Sequence, residues 1–268
     1  MGMPYQQCGP IRYYTFASLD DQPVLQAVFT RRGGISPRPW SALNLGGTVG
    51  DDPQRVLENR RRAFEALGVG LESLYDVWQV HSADVVYTDQ PRPVHAPHLK
   101  ADAILTDCPG VSLFMRFADC VPILLYDPRR HAVGLVHAGW KGTVQRVAAA
   151  AVVAMQDRMN SRPADLMAAI GPSIGPHHYE VGPDVIARVR QAFGQDASKL
   201  LQNVDREDAD GVQFDLWSAN RLVLEDAGVQ QIEVAEICTA CHLEDWYSHR
   251  GEHGKTGRFG VLLGLKAG

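Results

Sequence analysis

Three apolar segments that follow one another closely decide the fold: Val111-Ser-Leu-Phe-Met-Arg-Phe117, Val121-Pro-Ile-Leu-Leu-Tyr126 and Ala132-Val-Gly-Leu-Val-His137. Each is short and almost without polar positions, which is typical of strands that are buried on both faces. The segments come as a run and do not alternate with helices. They therefore favour an α+β layered sandwich over a doubly wound parallel sheet.

The flanking sequence extends this pattern to further strands. Apolar runs predict strands at 24–30, 74–80, 166–170, 232–237 and 259–265. Together with the helices predicted between them, these strands indicate mixed β-sheets flanked by helices.

Helices are predicted where capping residues precede apolar positions at helical spacing. Asp52 and Pro53 open the first one, and its expected buried face consists of Val56, Leu57, Ala63, Phe64 and Leu67. Thr143 is expected to cap an Ala/Val-rich helix that ends near Met159. Two more helices are predicted at 183–193 and at 216–227, the second opened by Asp215 and closed by Gly228.

Length and composition indicate one domain over residues 1–268. The chain is 45% hydrophobic and 21% charged, and no Pro/Gly/Ser-rich linker divides it, so residues 89–98 are interpreted as an inserted surface loop. The net charge of −5 argues against nucleic acid as a partner, and the basic runs at 60–62 and 129–130 are interpreted as solvated surface.

The N-terminal sequence indicates a cytoplasmic protein. Residues 1–7 lack the charged-then-apolar layout of a signal peptide, and no apolar run approaches the length of a membrane span, so no membrane contact is expected. The five cysteines are sparse and odd in number, which is typical of reduced thiols.

Residues with metal-binding chemistry stand at the ends of apolar segments. Cys120 follows the first of the three segments above, His137 closes the third, and His81 follows Val77-Trp-Gln-Val80. One thiolate and two imidazoles suit Zn²⁺, and three protein ligands leave a fourth position open. Spacing alone does not distinguish this site from a buried cysteine and two hydrogen-bonded histidines.

Cysteines and histidines also occur in three later segments. Cys238-Thr-Ala-Cys241-His242 matches a haem-attachment pattern, but the match is interpreted as accidental because the chain has no export signal; two reduced thiols at a strand end are favoured, with a redox pair or a second metal site as alternatives. The Gly/Pro-rich segment 171–182 is interpreted either as the lining of a pocket or as a turn. Residues 246–258 combine Arg250, Lys255 and Arg258 with glycines, as an anion-binding loop or a solvated hairpin tip would.

Taken together, four segments resemble one family, the zinc-dependent purine nucleoside phosphorylases formerly described as multicopper polyphenol oxidases or laccase-like proteins. They are Gln79-Val-His81, Ala118-Asp-Cys120-Val-Pro122, Val136-His137-Ala-Gly-Trp140-Lys-Gly142 and Ala169-Ile-Gly-Pro172-Ser-Ile-Gly-Pro176. The chain departs from the family pattern in the Gly-Pro segment, where the family often has cysteines and this chain has Ser173, His177 and His178, and at His249, where a tyrosine is usual.

The resemblance implies an α/β/β/α sandwich with His81, Cys120 and His137 as zinc ligands and catalytic residues. It also implies purine nucleosides and phosphate as substrates: phosphorolysis of adenosine, inosine, guanosine and 5′-methylthioadenosine, with adenosine deamination as a second activity. Asp119 is either an acid/base or a group behind the ligands, because neighbouring strand residues point to opposite faces.

Substrate contacts are expected from polar residues in loops that can reach phosphate or ribose, namely Arg31, Asn44, Lys141 and Arg258.

Three rival functions are compatible with the same residues. A copper-dependent polyphenol oxidase also uses two histidines and a cysteine, although a multicopper enzyme needs more histidines in ordered clusters. A cysteine hydrolase would use Cys120 as nucleophile and His137 as base, with Asp119 or another carboxylate to orient the base. A metal-stabilised binding module would lose its fold on chelation and catalyse nothing.

Overall fold

The computed structural model describes residues 5–93, 95–203 and 211–266. Fifteen strands and seven α-helices lie within these ranges. The strands are β1 (Tyr5–Cys8), β2 (Ile11–Tyr14), β3 (Val24–Phe29), β4 (Leu74–Tyr75), β5 (Val85–Tyr87), β6 (Ala103–Thr106), β7 (Ser112–Phe117), β8 (Val121–Asp127), β9 (Ala132–Ala138), β10 (Met167–Ile170), β11 (Glu180–Val181), β12 (Leu201–Gln202), β13 (Val212–Phe214), β14 (Gln231–Val234) and β15 (Phe259–Leu265). The helices are α1 (Ala17–Asp20), α2 (Pro53–Glu65), α3 (Trp140–Val144), α4 (Val147–Met159), α5 (Pro183–Phe193), α6 (Ala197–Leu200) and α7 (Leu216–Asp226).

Two six-stranded mixed sheets form the centre of the molecule. The first sheet has the order β1-β2-β3-β15-β7-β4, and only its β4–β7 pair is parallel. The second has the order β14-β10-β8-β9-β6-β5, with parallel pairs at both edges. A third, smaller sheet has three strands in the order β11-β13-β12, and both of its strand pairs are antiparallel.

Alternation along the strands creates three separate cores, because successive side chains point to opposite faces of a sheet. Between the two sheets, Leu113 and Val261 of the first pack with Leu124 and Leu135 of the second. On the outer face of the second sheet, Ile123, Leu125 and Val136 pack with residues of α4, α5 and α7. On the outer face of the first, Phe114 and Leu262 pack with Ala63 and Phe64 of α2.

The layers are therefore helix, sheet, sheet and helices, as the resemblance predicted. Strands β8 and β9 are buried along their whole length, in agreement with their continuous apolar sequence. The core between the sheets draws on residues from Phe16 to Leu265, so we propose that the chain is one domain. No helix in the described ranges is both long and apolar enough to cross a bilayer.

The first predicted helix is confirmed, with one error in its buried face. The Asp52 carboxylate caps it by accepting a hydrogen bond from the Gln54 backbone N–H. Leu57, however, is 52% exposed, whereas Asn59 is fully buried. Asn59 donates through Nδ2 to the carbonyls of Ala42 and Asn44, so this helix face fixes the preceding loop through polar contacts as well as apolar ones.

Two further predictions were wrong in detail. Thr143 does not cap the Ala/Val-rich helix, because the chain first forms the short helix α3 and then restarts at Arg146, whose backbone is left-handed with φ 61°. The strand predicted at 74–80 ends at Tyr75. Beyond it the Val80 N–H donates to the Asp102 carboxylate and does not join a strand ladder.

The other predicted elements are present, with shifts of a few residues at their ends. Helices α5 and α7 match, and Asp215 caps α7 by accepting from the Ser218 N–H. The surface loop predicted at 89–98 contains Val94, which lies outside the described residues.

The difference between two leucines tests this packing. Leu124→Ala removes a side chain that is fully buried between the sheets, so we expect a loss of about 2–5 kcal/mol in the free energy of unfolding. Leu57→Ala removes a half-exposed side chain on α2 and should change it by about 0.5 kcal/mol or less. Urea denaturation of both variants checks this, and equal losses would contradict the layer arrangement.

Candidate metal centre and cleft

Strand register brings two of the three predicted metal ligands together. In the antiparallel β8–β9 pair, Val121 lies opposite Ala138 and Pro122 lies opposite His137. Cys120, which directly precedes β8, therefore lies next to the end of β9. The donor atoms of Cys120, His137 and His81 all lie within 4.8 Å of one another. Cys120 Sγ is 3.8 Å from His81 Nε2, and the two imidazole rings are 5.0 Å apart between centroids.

His81 reaches this cluster from a bend and not from a strand end. Its backbone is left-handed, with φ 62°, a conformation that is uncommon for a residue with a side chain. The flanking backbone is held by one carboxylate, because Asp102 Oδ2 accepts from the N–H groups of Val80 and Ser82, at 3.1 and 2.7 Å. The bend is therefore fixed by Asp102, a residue outside the three predicted ligands.

Asp102 also orients the second histidine. Its other oxygen, Oδ1, lies 2.8 Å from His137 Nδ1, and its backbone carbonyl accepts from the His137 N–H. With Nδ1 bonded to the carboxylate, Nε2 of His137 is left to face Cys120. Asp102 is fully buried just before the apolar strand β6, and a lone carboxylate next to such a strand was the signal in the sequence.

The space between the ligands depends on Gly139. A Cβ atom at this position would lie 2.8 Å from Cys120 Sγ and 2.9 Å from His81 Cδ2. Its backbone, with φ −72° and ψ 174°, is open to any residue, so it is space and not conformation that requires glycine here. The cluster is thus a cradle into which an additional carbon does not fit.

The cluster is electrostatically polarised. Burial raises the pKa of the Cys120 thiol, but attraction to His137 and hydrogen bonds from both histidines outweigh it and bring this pKa to about 6. Burial lowers the pKa of His137, and the Cys120 thiolate and the Asp102 carboxylate outweigh that effect and raise it to about 9. At neutral pH the metal-free pair is therefore thiolate and imidazolium, and the sulfur is already in the form that binds metals.

Asp119 occupies a loop between β7 and β8, with φ 84°, so strand alternation does not decide where it points. Its Oδ1 accepts from Thr239 Oγ1 at 2.7 Å and its Oδ2 accepts from the Arg250 N–H at 2.6 Å. Both oxygens are thus engaged by the C-terminal segment. Asp119 thus links the segment that carries Cys120 to the C-terminal segment at Thr239 and Arg250.

The cluster opens onto a cleft of about 700 Å³. His81, Asp119 and Cys120 line both this cleft and a smaller adjoining pocket of about 230 Å³. The cleft has two aromatic side chains, Trp78 and Tyr179, and a set of basic ones. The basic residues are Arg60, His98, Arg116, His249, Arg250 and Arg258.

A buried carboxylate organises part of this basic wall. Asp76 is fully buried and lies 2.6 Å from Arg116, 2.8 Å from Arg92 and 4.0 Å from Arg60. Three guanidinium groups against one carboxylate leave two positive charges, and Arg60 and Arg116 both face the cleft. This excess charge attracts an anion.

This arrangement corrects the interpretation of residues 60–62 as solvated surface. Arg61 is half exposed, as predicted, but Arg60 is largely buried and donates to the Leu45 carbonyl. Burial, together with repulsion from Arg116 and Arg92, lowers the pKa of Arg60 to about 10 despite the attraction of Asp76. A run of three arginines on a helix thus faces two environments, because adjacent helical residues point in different directions.

Of the four residues expected to contact substrate, two line the space around the cluster. Arg258 lines the cleft, placed there because Phe259 of β15 pairs with Phe117 of β7. Lys141 lines the smaller pocket.

The other two lie elsewhere. Asn44 is fully buried, and its Oδ1 accepts from the Arg258 N–H at 2.9 Å, so it positions Arg258 from behind. Arg31 lines a different pocket and donates to the carbonyls of Ser41 and Leu243 and to Glu252.

Comparison with known proteins assigns the family. The model of the family described as multi-copper polyphenol oxidoreductase laccase matches residues 25–266. The chain belongs to this family.

Several relatives in this family carry names that refer to nucleosides. A purine nucleoside phosphorylase from Deinococcus radiodurans is 40% identical over 243 residues, covering 90% of this chain and 89% of that protein. A protein named adenosine deaminase RL5, from an unknown prokaryotic organism, is 36% identical over 236 residues, covering 84% of this chain and 88% of that protein.

A solved structure shares the fold of this chain. The crystal structure of YlmD from Geobacillus stearothermophilus superposes with a TM-score of 0.90 at 35% identity, over 99% of this chain and 100% of that one.

Gly139→Ala tests whether the cluster is a metal cradle. We expect this variant to lose most of its bound metal, because the new Cβ contacts Cys120 and His81 at less than 3 Å. Gly182→Ala is a matched control, since Gly182 precedes α5 with φ −82° and ψ 173° and its Cβ would contact nothing within 4 Å. Metal analysis of both proteins checks this, and full metal content in Gly139→Ala would contradict the assignment.

The polarised pair predicts how Cys120 titrates in the metal-free protein. Alkylation of Cys120 by iodoacetamide should fall as the pH drops through about 6, where the thiolate gains its proton, and not near the ordinary value of about 8.5. Asp102→Asn should move this midpoint upward, because the carboxylate that supports the His137 imidazolium is lost. Mass spectrometry of the Cys120 peptide measures it, and a wild-type midpoint above pH 8 would refute the prediction.

Proposed function

We propose that this chain is a zinc-dependent purine nucleoside phosphorylase that also deaminates adenosine. One observation carries the proposal: the His81, Cys120 and His137 cluster opens onto a cleft whose walls combine aromatic rings with excess positive charge. A purine offers a flat apolar surface, and phosphate offers a compact anion. The name of the relative from Deinococcus radiodurans, a purine nucleoside phosphorylase, supports the same reading.

The donor set fits zinc. A thiolate and two imidazoles are borderline-soft ligands, and the space kept free by Gly139 lies between Cys120 and His81. Zinc held by His81, Cys120 and His137 would supply a Lewis acid at the cleft. Copper, the alternative, accepts the same ligands. A multicopper oxidase, however, needs additional histidine clusters, and the described residues contain only one other group of histidines and cysteines.

In phosphorolysis, a phosphate oxygen bonds to C1′ of the ribose while the bond from C1′ to the purine nitrogen breaks. The electron pair leaves with the purine, which then takes a proton. We assign phosphate binding to Arg258 and Arg116, because guanidinium groups match phosphate oxygens and both line the cleft. Trp78, which is 50% exposed, and Tyr179 offer rings on which a purine can stack.

Asp119, Asn44 and Asp102 act as positioning residues in this proposal. Asp119 accepts from the Arg250 N–H, Asn44 accepts from the Arg258 N–H, and Asp102 orients His81 and His137. None of these three carboxylate or amide groups is free, so their contribution is the placement of the groups that meet substrate.

Adenosine deamination is the second proposed activity, and similarity to the protein named adenosine deaminase RL5 favours it. In this reaction water adds to C6 of the purine and ammonia leaves. No phosphate is consumed, so the basic wall of the cleft is not needed for the chemical step. The two activities thus depend on different parts of one cleft.

The rival cysteine hydrolase has a structural basis that the sequence did not show. Cys120, His137 and Asp102 form a thiolate, an imidazolium and an orienting carboxylate, with Asp102 in the place considered for Asp119. Slow alkylation of Cys120 in the zinc-loaded protein and rapid alkylation after chelation would favour the metal site. Equal rates would favour the hydrolase.

We place the enzyme in the cytoplasm and propose neither nucleic acid nor membrane as a partner. The cysteines of the described chain are unpaired thiols, as expected in a reducing compartment, and the net charge of −5 disfavours a phosphate backbone.

Product analysis tests the proposal directly. Zinc-loaded protein incubated with adenosine should release adenine and ribose 1-phosphate only when phosphate is present, and inosine with or without it. His81→Ala should lose all three products together with one equivalent of zinc. Absence of nucleoside turnover in the fully zinc-loaded protein would refute the function.

Arg258→Gln separates the two activities. We expect a rise of about tenfold or more in the KM for phosphate, since a charge-assisted hydrogen bond contributes about 1.5–3 kcal/mol. Deamination of adenosine should be almost unchanged. The fold should tolerate the change, because the Arg258 guanidinium donates only to the Thr256 and Gly257 carbonyls of its own segment. Equal losses in both activities would contradict the assignment of Arg258 to phosphate.

A further inference from the structure

A second group of potential metal ligands lies outside the site just described. It consists of His177 and His178 from the Gly/Pro-rich segment, and Cys238 and Cys241 from the segment after β14. The four donor atoms all lie within 4.8 Å of one another. Neither cysteine forms a disulfide. The group joins two segments that are some sixty residues apart in sequence, and Tyr179, next to His178, lines the cleft.

Two of the sulfur–nitrogen distances within this second group match tetrahedral coordination. His177 Nε2 lies 3.1 Å from Cys241 Sγ, while His178 Nδ1 lies 3.5 Å from Cys241 Sγ and 3.6 Å from Cys238 Sγ. A tetrahedral Zn²⁺ with Zn–S of about 2.3 Å and Zn–N of about 2.0–2.1 Å places sulfur and nitrogen about 3.6 Å apart. Both contacts of His178 thus agree with tetrahedral Zn²⁺, and the contact of His177 with Cys241 is shorter.

The surroundings of the two sulfurs agree with this interpretation. Cys238 is buried, and its Sγ accepts a hydrogen bond from the Gly175 N–H at 3.2 Å, the kind of contact that stabilises a metal thiolate. A Cβ atom on Gly175 would lie 2.7 Å from the His177 ring and 3.1 Å from Cys238 Cβ. The loop therefore approaches the cysteines closely only because Gly175 has no side chain.

The same geometry decides between the interpretations of Cys238-Thr-Ala-Cys241-His242. A haem-attachment motif uses its own histidine, but His242 stands apart from the cluster, with Nδ1 3.2 Å from Glu244. Two histidines from a distant loop occupy the positions next to the sulfurs. Ligands from two chain segments in a Cys₂His₂ set are typical of structural zinc.

We propose that His177, His178, Cys238 and Cys241 form a second, structural zinc site. Four protein ligands leave no position for substrate, so the site is closed and differs in kind from the three-ligand cluster. In this proposal the site holds in place two residues that neighbour its ligands, Thr239 and Tyr179, and through them part of the cleft lining. Thr239, between the two cysteines, donates to Asp119, and Tyr179, next to His178, lines the cleft with Arg250 5.4 Å from its ring.

Zinc stoichiometry of the full chain tests this site. Protein purified anaerobically, loaded with Zn²⁺ and freed of excess metal should contain two zinc ions per chain. Cys241→Ser should contain one, and His81→Ala should also contain one, lost from the other site. Cys8→Ser, which alters an exposed cysteine outside both groups, should retain two. The result for Cys241→Ser does not depend on nucleoside turnover, so failure of the proposed function leaves this test intact.

Cobalt gives a second measurement that reports the ligands themselves. In the His81→Ala background, Co²⁺ should produce the thiolate charge-transfer and tetrahedral ligand-field bands of a two-sulfur site. His177→Gln, which changes an exposed residue, should abolish or alter them even if Cys241→Ser does not fold. Equal zinc content in wild type and Cys241→Ser would overturn the proposal. So would a Cys238–Cys241 disulfide in the anaerobically purified protein, or no cobalt spectrum in the His81→Ala protein.

Discussion

The carboxylate of Asp102 holds together the parts of the candidate centre that come from different strands and loops. One of its oxygens bonds to His137 at the end of β9, and the other accepts the backbone of the bend that carries His81. Because Asp102 is fully buried, each of these bonds is made in a medium that screens charge poorly. The ligands are therefore placed before any metal arrives, which lowers the cost of ordering them on binding.

The cleft combines two charge patterns that the fold keeps apart. Around the candidate ligands, the Cys120 thiolate, the His137 imidazolium and the Asp102 carboxylate alternate in sign and leave one negative charge in the metal-free protein. Around Asp76, guanidinium groups exceed carboxylates and leave positive charge facing the cleft. The proposed substrates match these two regions, because the purine nucleoside is uncharged and aromatic and phosphate is an anion that the positive region attracts. Arg258, delivered by β15, stands at the cleft with its backbone fixed by Asn44.

The sequence predicted the layers well because continuous apolar runs and capping residues are local signals. The runs at 121–126 and 132–137 and the caps Asp52 and Asp215 are each recognisable within a few residues. What it missed depends on contacts between distant segments. Asp102, Arg60 and Asp76 carry ordinary side chains whose roles come from burial, and the pairing of His177 and His178 with Cys238 and Cys241 requires the folded chain. Arg31 and Asn44 are polar loop residues, as the prediction of substrate contacts required. In the folded chain, however, their side chains form hydrogen bonds with the backbone of other loop segments.

The position of β15 has a consequence for biosynthesis. This strand lies between β3 and β7 in the first sheet, yet it is made after both of them, and residues 112–117 leave the ribosome long before residues 259–265. Until then the growing chain has two unpaired strand edges and lacks one wall of the interior between the sheets, which are the features that promote aggregation of nascent proteins. The first sheet can therefore close only after this strand has been translated.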